Sequence, residues 1–194
     1  MSPESIKPAH IDIYPEGFPP SVHYRYHEEH CELLGKRRQQ ISNCLGEEFC
    51  HLLEQEESFL PELSQSLFQQ VEEVMEGYQK NKNLVIKGPE SEKVAALILR
   101  LSPRRQIIGV NLNLEEELEG VEQIYQRLGS QVGLPECSSL IELRGKIWAE
   151  RRDTAIVLLG INRLSEEEQE ELLESMEEDY ILQETLRIST ISGP

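Results

Sequence analysis

The run AIVLL at Ala155–Leu159 decides the fold class, because five apolar residues follow one another without a polar interruption. Such a run is typical of a parallel strand that helices cover on both faces. Two similar runs precede it, Leu84–Ile86 and Ile107–Leu112, and a segment rich in β-branched residues, Leu186–Ser192, follows it. We therefore predict about four parallel strands.

Helical patterns separate these strands. Val94–Leu99 is apolar all round and predicts a helix that is buried on most sides. Amphipathic patterns predict two further helices over about 114–130 and 138–151. A fourth helix begins at Ser165, which stands in capping-box spacing with Glu168. The order from residue 84 is β-α-β-α-α-β-α-β, which predicts an α/β fold with a parallel sheet flanked by helices.

The chain divides by composition into three segments. Residues 1–20 carry five of the ten prolines and predict an extended arm. Residues 21–80 predict a helical segment with a break within Ser42–Gly46 and a stronger helix over Pro61–Tyr78. Residues 81–194 form the predicted α/β domain. The apolar residues of the first helical part fit one helical face: Ile41, Cys44, Leu45, Phe49, Leu52 and Leu53.

The chain is strongly acidic, with 19 basic and 36 acidic residues and a formal charge of −17. Such a field repels phosphate backbones, so we expect no direct nucleic-acid binding. It would attract a protein partner with a basic surface, although an acidic surface also serves solubility alone. No stretch approaches the ~18 consecutive apolar residues of a membrane span, and the first residues lack a signal-peptide pattern. We expect an intracellular protein, cytoplasmic or nuclear, without membrane association.

The cysteines and histidines of the N-terminal third raise the question of a metal site. The sequence has four cysteines and no C-x-x-C pair, which fits reduced thiols. Zinc would need four of the clustered side chains, but no recognised zinc spacing is met, and two of the cysteines also fit the apolar face as small core residues. We expect no metal, with a zinc-containing regulatory sensor as an alternative. The cluster comprises His23, His27, His30, Cys31, Cys44, Cys50 and His51.

The turn after the first strand resembles a degenerate phosphate-binding loop. That loop has the pattern G-x-x-x-x-G-K-[ST] between a strand and a helix. Here the spacing from Gly88 to Lys93 is one residue short, Glu92 replaces the second glycine and Val94 replaces the hydroxyl residue. Glu90 and Glu92 would also repel a triphosphate. We assign Gly88 and Lys93 as degenerate, inactive nucleotide-binding positions, the alternative being an ordinary strand–turn–helix with a chance lysine.

The strand at Ala155–Leu159 lacks the acidic residues that an ATPase places after it. Gly160 and Ile161 stand where the carboxylates for magnesium and the attacking water belong. Without them no side chain there holds the metal or positions water, so hydrolysis should fail. We assign no catalytic residue.

Two further sets of segments match a known pattern: GINRLS at 160–165 with Gln169 and LLESMEE at 172–178, and Val110–Leu112 with Ile124–Gly129. With these motifs, residues 82–194 resemble the nucleotide-binding core of AAA+ and STAND-type ATPases. The resemblance implies a P-loop ATPase fold whose two catalytic signatures are altered. It also implies a polar sensor residue in the strand ending at 189–193, and a fifth strand and a helical lid that would follow where this chain stops.

These patterns predict a non-catalytic, ATPase-like protein that acts as a protein–protein interaction, assembly or regulatory module. We expect no cofactor. ATP is the one candidate that the resemblance suggests, and the two glutamates of the turn at Gly88–Lys93 disfavour its binding. The alternative is a nucleotide-binding subunit of a DNA-transaction complex of the replication, clamp-loading or transposition kind. Such a subunit would contact DNA only through its partners, because its own charge is negative.

Two features predict contact surfaces. The run Glu166–Asp179 has nine carboxylates in fourteen residues, which suits a basic partner or is simply the solvated face of a helix. Trp148, the only tryptophan, is predicted to pack in the core beside Ile147, with a surface anchor as the alternative. The candidate partner-binding residues are Glu166, Glu170, Glu174 and Glu177.

Overall fold

A computed structural model describes residues 38–54, 83–101, 106–117, 120–150, 154–178 and 185–192. Residues 38–45 are helical. The further helices are α1 (Glu47–Glu54), α2 (Ser91–Leu101), α3 (Val121–Gln131), α4 (Leu140–Glu150) and α5 (Glu166–Glu178). The strands are β1 (Asn83–Lys87), β2 (Gln106–Asn111), β3 (Thr154–Leu159) and β4 (Leu186–Ile191), and short 3-10 helices cover Leu112–Leu114 and Ile161–Arg163.

The four strands form one all-parallel sheet in the order β1-β4-β3-β2, which confirms the predicted α/β fold. β2 and β3 are buried along their whole length, as their continuous apolar runs predict. β4 lies between β1 and β3, with Ile86 opposite Thr190 and Val157 opposite Ile188. All four carboxyl ends therefore meet at the same edge of the sheet.

Helices cover both faces of the sheet. Residues 38–54 and α2 form one hydrophobic cluster with β1, β4 and part of β3, while α3, α4 and α5 form a second cluster on the other face. Val94–Leu99 of α2 are at most 5% exposed, which confirms the helix predicted to be buried on most sides. The sheet is thus the middle of three layers.

The N-terminal helical residues belong to the first cluster. The predicted break lies at Gly46, whose φ of 91° suits glycine, and the predicted apolar face is the one that contacts the sheet. The Asn111 amide donates to the carbonyl oxygen of Leu45 at 2.8 Å and ties this layer to the end of β2. The predicted arm at 1–20, the helix at Pro61–Tyr78 and the boundary at 80/81 lie outside the described residues.

One predicted helix begins later than expected. The amphipathic pattern over 114–130 corresponds to Val121–Gln131. The Asn111 side chain accepts from the Asn113 backbone N–H and caps a 3-10 turn, after which Glu115 is extended and Gly120, with φ of 103°, precedes the helix. The predicted capping box is confirmed, because Glu168 Oε2 accepts from the Ser165 N–H at 3.0 Å while Ser165 Oγ accepts from the Glu168 N–H at 3.3 Å.

The outer edge of β2 is closed by a side chain. The Gln131 carboxamide accepts from the Gly109 N–H at 3.0 Å and donates to the Gly109 carbonyl at 2.8 Å, as a neighbouring strand would do. This pairing occupies backbone groups that could otherwise join another strand. Among the helices described, none has the length and apolar character to cross a membrane.

Candidate functional site

Both segments that resemble nucleotide-binding motifs lie at the carboxyl edge of the sheet, on either side of β4. The Gly88 N–H, after β1, donates to the carbonyl oxygen of Ile191 at 3.0 Å. The Gly160 N–H, after β3, donates to Thr190 Oγ1 at 2.9 Å. Open α/β sheets bind ligands outside the carboxyl ends of their strands. This edge is therefore the candidate site.

The predicted strand–turn–helix at Gly88 is present, but the turn is tight. Gly88 has a φ of 121°, and the Ser91 N–H donates back to the Gly88 carbonyl at 3.2 Å. Helix α2 begins at Ser91, so Lys93 lies within its first turn. A phosphate cradle needs backbone N–H groups directed at the ligand. The N–H groups of Gly88 and Ser91 are instead used within the protein.

The charged side chains of this turn have partners within the protein. Lys93 Nζ lies 3.2 Å from Glu90 Oε1, so the cation contacts a carboxylate of its own turn. Because both side chains are partly exposed, this ion pair adds little stability. In a phosphate-binding loop the lysine contacts the phosphate, whereas here Lys93 contacts the Glu90 carboxylate.

Glu92 occupies the position of the second glycine of the motif. Its Oε1 accepts from Asn113 Nδ2 at 2.9 Å. Burial raises the pKa of the Glu92 carboxyl, and the negative charge of Glu48 raises it further, while the Asn113 hydrogen bond opposes both. The chain therefore places a half-buried acid where a phosphate-binding loop has no side chain.

Gly160 stands where an ATPase carries its magnesium-binding carboxylate, and the protein fills the adjacent space. Its φ is 73°, a left-handed conformation that a side chain rarely adopts. A Cβ atom there would lie 2.4 Å from Asn113 Oδ1 and 2.6 Å from Asn113 Cγ. The next residue, Ile161, is fully buried in the second hydrophobic cluster. A carboxylate at residue 160 would therefore displace the exposed Asn113 side chain, and one at residue 161 would be buried among apolar side chains.

The segment that the resemblance assigns to a sensor residue is also engaged within the protein. The Ser192 N–H donates to Asn162 Oδ1 at 3.0 Å, and the Ser192 and Ser91 hydroxyls lie 3.5 Å apart. Thr190 is fully buried beneath them. The polar groups of β4 thus link the ends of β1 and β3 to each other.

Asn113 was not identified from the sequence, and Thr190 was covered only as part of the segment 189–193, where the resemblance places a polar sensor residue. Asn113 follows β2 in the segment Asn111–Leu114, and a polar residue just after a parallel strand points toward the carboxyl edge. That position was the available signal. Thr190 lies within a β-branched strand, where threonine is common for packing reasons alone, so its hydrogen bond gave no sequence signal.

The predicted acidic contact residues lie on α5 as expected. Glu166, Glu170, Glu174 and Glu177 are all exposed, opposite the buried Leu172 and Met176. The hydrogen bonds from Ser165 hold the pKa of the Glu168 carboxyl below its usual range. Helix α5 begins six residues after Gly160, so its first turn lies toward the carboxyl edge of the sheet.

The prediction that Trp148 packs in the core is wrong. Ile147 is 6% exposed, whereas Trp148 is 69% exposed, because consecutive residues of a helix lie about 100° apart around its axis. Ile141, on the same side of α4 two turns earlier, is 66% exposed. A cavity of about 400 Å³ beside Ile141 is lined by residues of α3, α4, α5 and the segment just before α4: Tyr125, Ser138, Ser139, Leu140, Ile141, Arg144, Glu171 and Ser175.

The cysteines within the described residues are free thiols. Burial raises the pKa of the Cys44 thiol to about 12, so it stays protonated, and Cys50 is buried in the first hydrophobic cluster. Within the ranges that the structure describes, no three His, Cys, Asp or Glu side chains come together to hold a metal ion. Cys31 and the histidines His23, His27 and His30 lie outside those ranges.

No protein-family model, curated protein or solved structure matches this chain significantly. The structure shows an α/β fold with a parallel sheet. The relationship to AAA+ and STAND-type ATPases stays a prediction from the motifs within residues 82–194.

Proposed function

We propose that this chain is a non-catalytic, ATPase-like protein that acts through protein–protein association as an assembly or regulatory module. The observation that carries the proposal is the contact between Gly160 and Asn113. ATP hydrolysis at such an edge needs a carboxylate after the central strand to hold magnesium and position water. A side chain at residue 160 would displace the exposed Asn113 side chain, whose amide donates to Glu92.

Electrostatics support the same proposal. The candidate edge carries Glu90 and Glu92 where a triphosphate would lie, and Lys93 contacts Glu90. The formal charge of −17 disfavours both nucleotides and nucleic acids as ligands and favours a basic protein partner. The exposed glutamates of α5 and the exposed Trp148 supply a surface for such a partner. The free thiols of Cys44, Cys50 and Cys137 suit a cytoplasmic or nuclear location.

A titration with a fluorescent ATP analogue, with and without magnesium, tests the loss of nucleotide binding. We expect no saturable magnesium-dependent signal from the full chain. Lys93→Ala is the matched control, because any signal that survives this substitution does not come from the phosphate-loop-like turn. Micromolar, magnesium-dependent binding that Lys93→Ala abolishes would overturn the proposal.

Association is tested separately by affinity isolation of the full chain from its native cells after mild cross-linking, followed by mass spectrometry. We expect a stoichiometric protein partner. Recovery of the chain alone would contradict an assembly role. This second measurement does not depend on the nucleotide titration.

A further inference from the structure

Helix α4 presents two large apolar side chains to solvent. Ile141 and Trp148 are 66% and 69% exposed, and a spacing of seven residues places them on one side of the helix, about 10 Å apart along its axis. Gly145 lies between them, and a Cβ atom there would meet no other atom within 4 Å. The pair, here called the α4 apolar pair, therefore lies on an open side of the helix.

The α4 apolar pair is not needed to pack α4 on the sheet. Leu140, Leu143 and Ile147 already form the buried side of the helix. Large apolar groups that lie in solvent beside charged residues mark interaction sites, and tryptophan is among the residues that contribute most to binding at protein interfaces. The exposure of Ile141 and Trp148 thus indicates a docking surface.

Acidic side chains flank this surface on the α5 side. Glu171 lines the 400 Å³ cavity together with Ile141, so it lies beside the Ile141 end of the α4 apolar pair. Glu167 and Glu174 are four and three residues away on the same side of α5, and all three glutamates are exposed. Arg144 also lines the cavity, but it and Lys146 are half-buried. Among these described residues, the exposed charges are therefore negative.

We propose that α4 and the adjoining side of α5 dock a basic amphipathic helix of a partner protein. Apolar anchors two helical turns apart on the partner would match the spacing of Ile141 and Trp148, and lysines or arginines along its flank would meet Glu167, Glu171 and Glu174. This inference rests on the proposed function, since it names the class of partner that such an interaction module would bind.

The probe is a synthetic basic amphipathic peptide of about 18 residues, long enough to form a helix, with leucines on one face and lysines on its flanks. It contains no tryptophan, so the emission of Trp148, the single tryptophan of the chain, reports contact directly. We expect saturable binding to the full chain by fluorescence anisotropy and a blue shift of the Trp148 emission. Salt should weaken the binding.

Matched variants separate the two parts of the surface. Trp148→Ala should weaken peptide binding by more than about tenfold, whereas Leu114→Ala, at an equally exposed apolar residue elsewhere, should not. The double variant E167Q/E171Q should weaken binding by about tenfold and reduce its salt dependence. E116Q/E117Q removes the same charge from exposed residues between β2 and α3, outside α4 and α5, and should change binding less than about threefold.

Several results would overturn the inference. Equal binding of a scrambled peptide or of its acidic counterpart would show that neither the apolar pattern nor the charge is recognised. An equal loss of binding from E116Q/E117Q would show that only the net charge of the chain matters. If the free chain shows the blue-shifted emission of a buried tryptophan, another part of this chain already covers the surface. If the chain forms dimers in which acrylamide no longer quenches Trp148, a second copy covers it.

The result for the peptide and the result for the nucleotide are distinguishable. If the peptide does not bind and ATP does not bind either, the docking surface is wrong and the non-catalytic proposal stands. If magnesium-dependent ATP binding is found, the proposed function fails whatever the peptide does.

Discussion

At the carboxyl edge of the sheet, polar side chains contact one another, whereas on the outer side of α4 apolar side chains contact solvent. Asn113 lies against Gly160 and donates to Glu92, and Thr190 accepts from the Gly160 N–H. Ile141 and Trp148 remain more than 60% exposed. The first region resembles a ligand site and is filled by the protein itself. The second has no motif, but its apolar side chains are exposed, and the docking surface proposed above lies there rather than at the motif.

The largest expected effect comes from placing a carboxylate after β3 with Gly160→Asp. The left-handed backbone and the loss of the Asn113–Glu92 hydrogen bond, as Asn113 is displaced, should together lower the free energy of unfolding by roughly 1.5–3.5 kcal/mol. Urea denaturation measures it. A stable variant that binds magnesium-ATP would show that the edge is not closed.

Gly133→Asp is the matched control for this substitution. Gly133 has a similar φ of 80°, but a Cβ atom there meets nothing within 4 Å, so only the backbone cost of about 1–2 kcal/mol is expected. Asn113→Ala should cost less in the Gly160→Asp chain than in wild type, because the hydrogen bond to Glu92 is already lost there. If the two aspartate variants are equally destabilised, Asn113 does not fill the site.

A second test removes the hydrogen bond between the ends of β3 and β4. Thr190→Val keeps the shape of the side chain but leaves the buried Gly160 N–H without its acceptor, which should cost about 1–3 kcal/mol. Thr190→Ser keeps the hydroxyl and should cost less. Urea denaturation compares them, and a Thr190→Val chain as stable as wild type would contradict a closed polar network.

A third test uses pH. The raised pKa of Glu92 means that the folded protein binds this proton more tightly than the unfolded chain does. Its contribution to stability is therefore complete below the ordinary glutamate pKa and is lost as pH rises through the raised value. Glu92→Gln should remove this loss and be more stable than wild type at neutral pH, as thermal unfolding across the pH range would measure.

Glu168→Gln should show the opposite sign. The pKa of Glu168 is lowered, so its contribution is present above the ordinary glutamate pKa and disappears as pH falls through the lowered value. The variant should be less stable than wild type at neutral pH and equal to it in strong acid. If both variants shift stability in the same direction at neutral pH, the environment assigned to Glu92 is wrong.

The fold could be predicted from the sequence because its signals are local. Continuous apolar runs mark β2 and β3, and the capping box marks the start of α5. The turn at Gly88 was located for the same reason. The start of a helix is harder to predict where a polar side chain hydrogen-bonds the backbone and forms a turn instead, as the Asn111 side chain does before the helix that begins at Val121.

The closure of the candidate site could not be predicted, because it depends on residues far apart in the chain. Asn113 meets Gly160 only because β2 and β3 are neighbours in the sheet. The orientation of Trp148 was missed for a different reason. Apolar residues occur around much of α4, so their spacing does not show which side of the helix faces the sheet. Trp148 follows Ile147 directly, and consecutive residues of a helix do not share a face.

The smallest expected effect is on the open surface itself. Because Trp148 is 69% exposed, Trp148→Ala should change the free energy of unfolding by less than about 0.5 kcal/mol. On the same helix, Leu143→Ala, at a fully buried residue, should cost about 2–5 kcal/mol. Urea denaturation of both variants makes the comparison. A loss above about 1 kcal/mol from Trp148→Ala would mean that Trp148 packs within the folded chain, and α4 would then have no free surface to offer a partner.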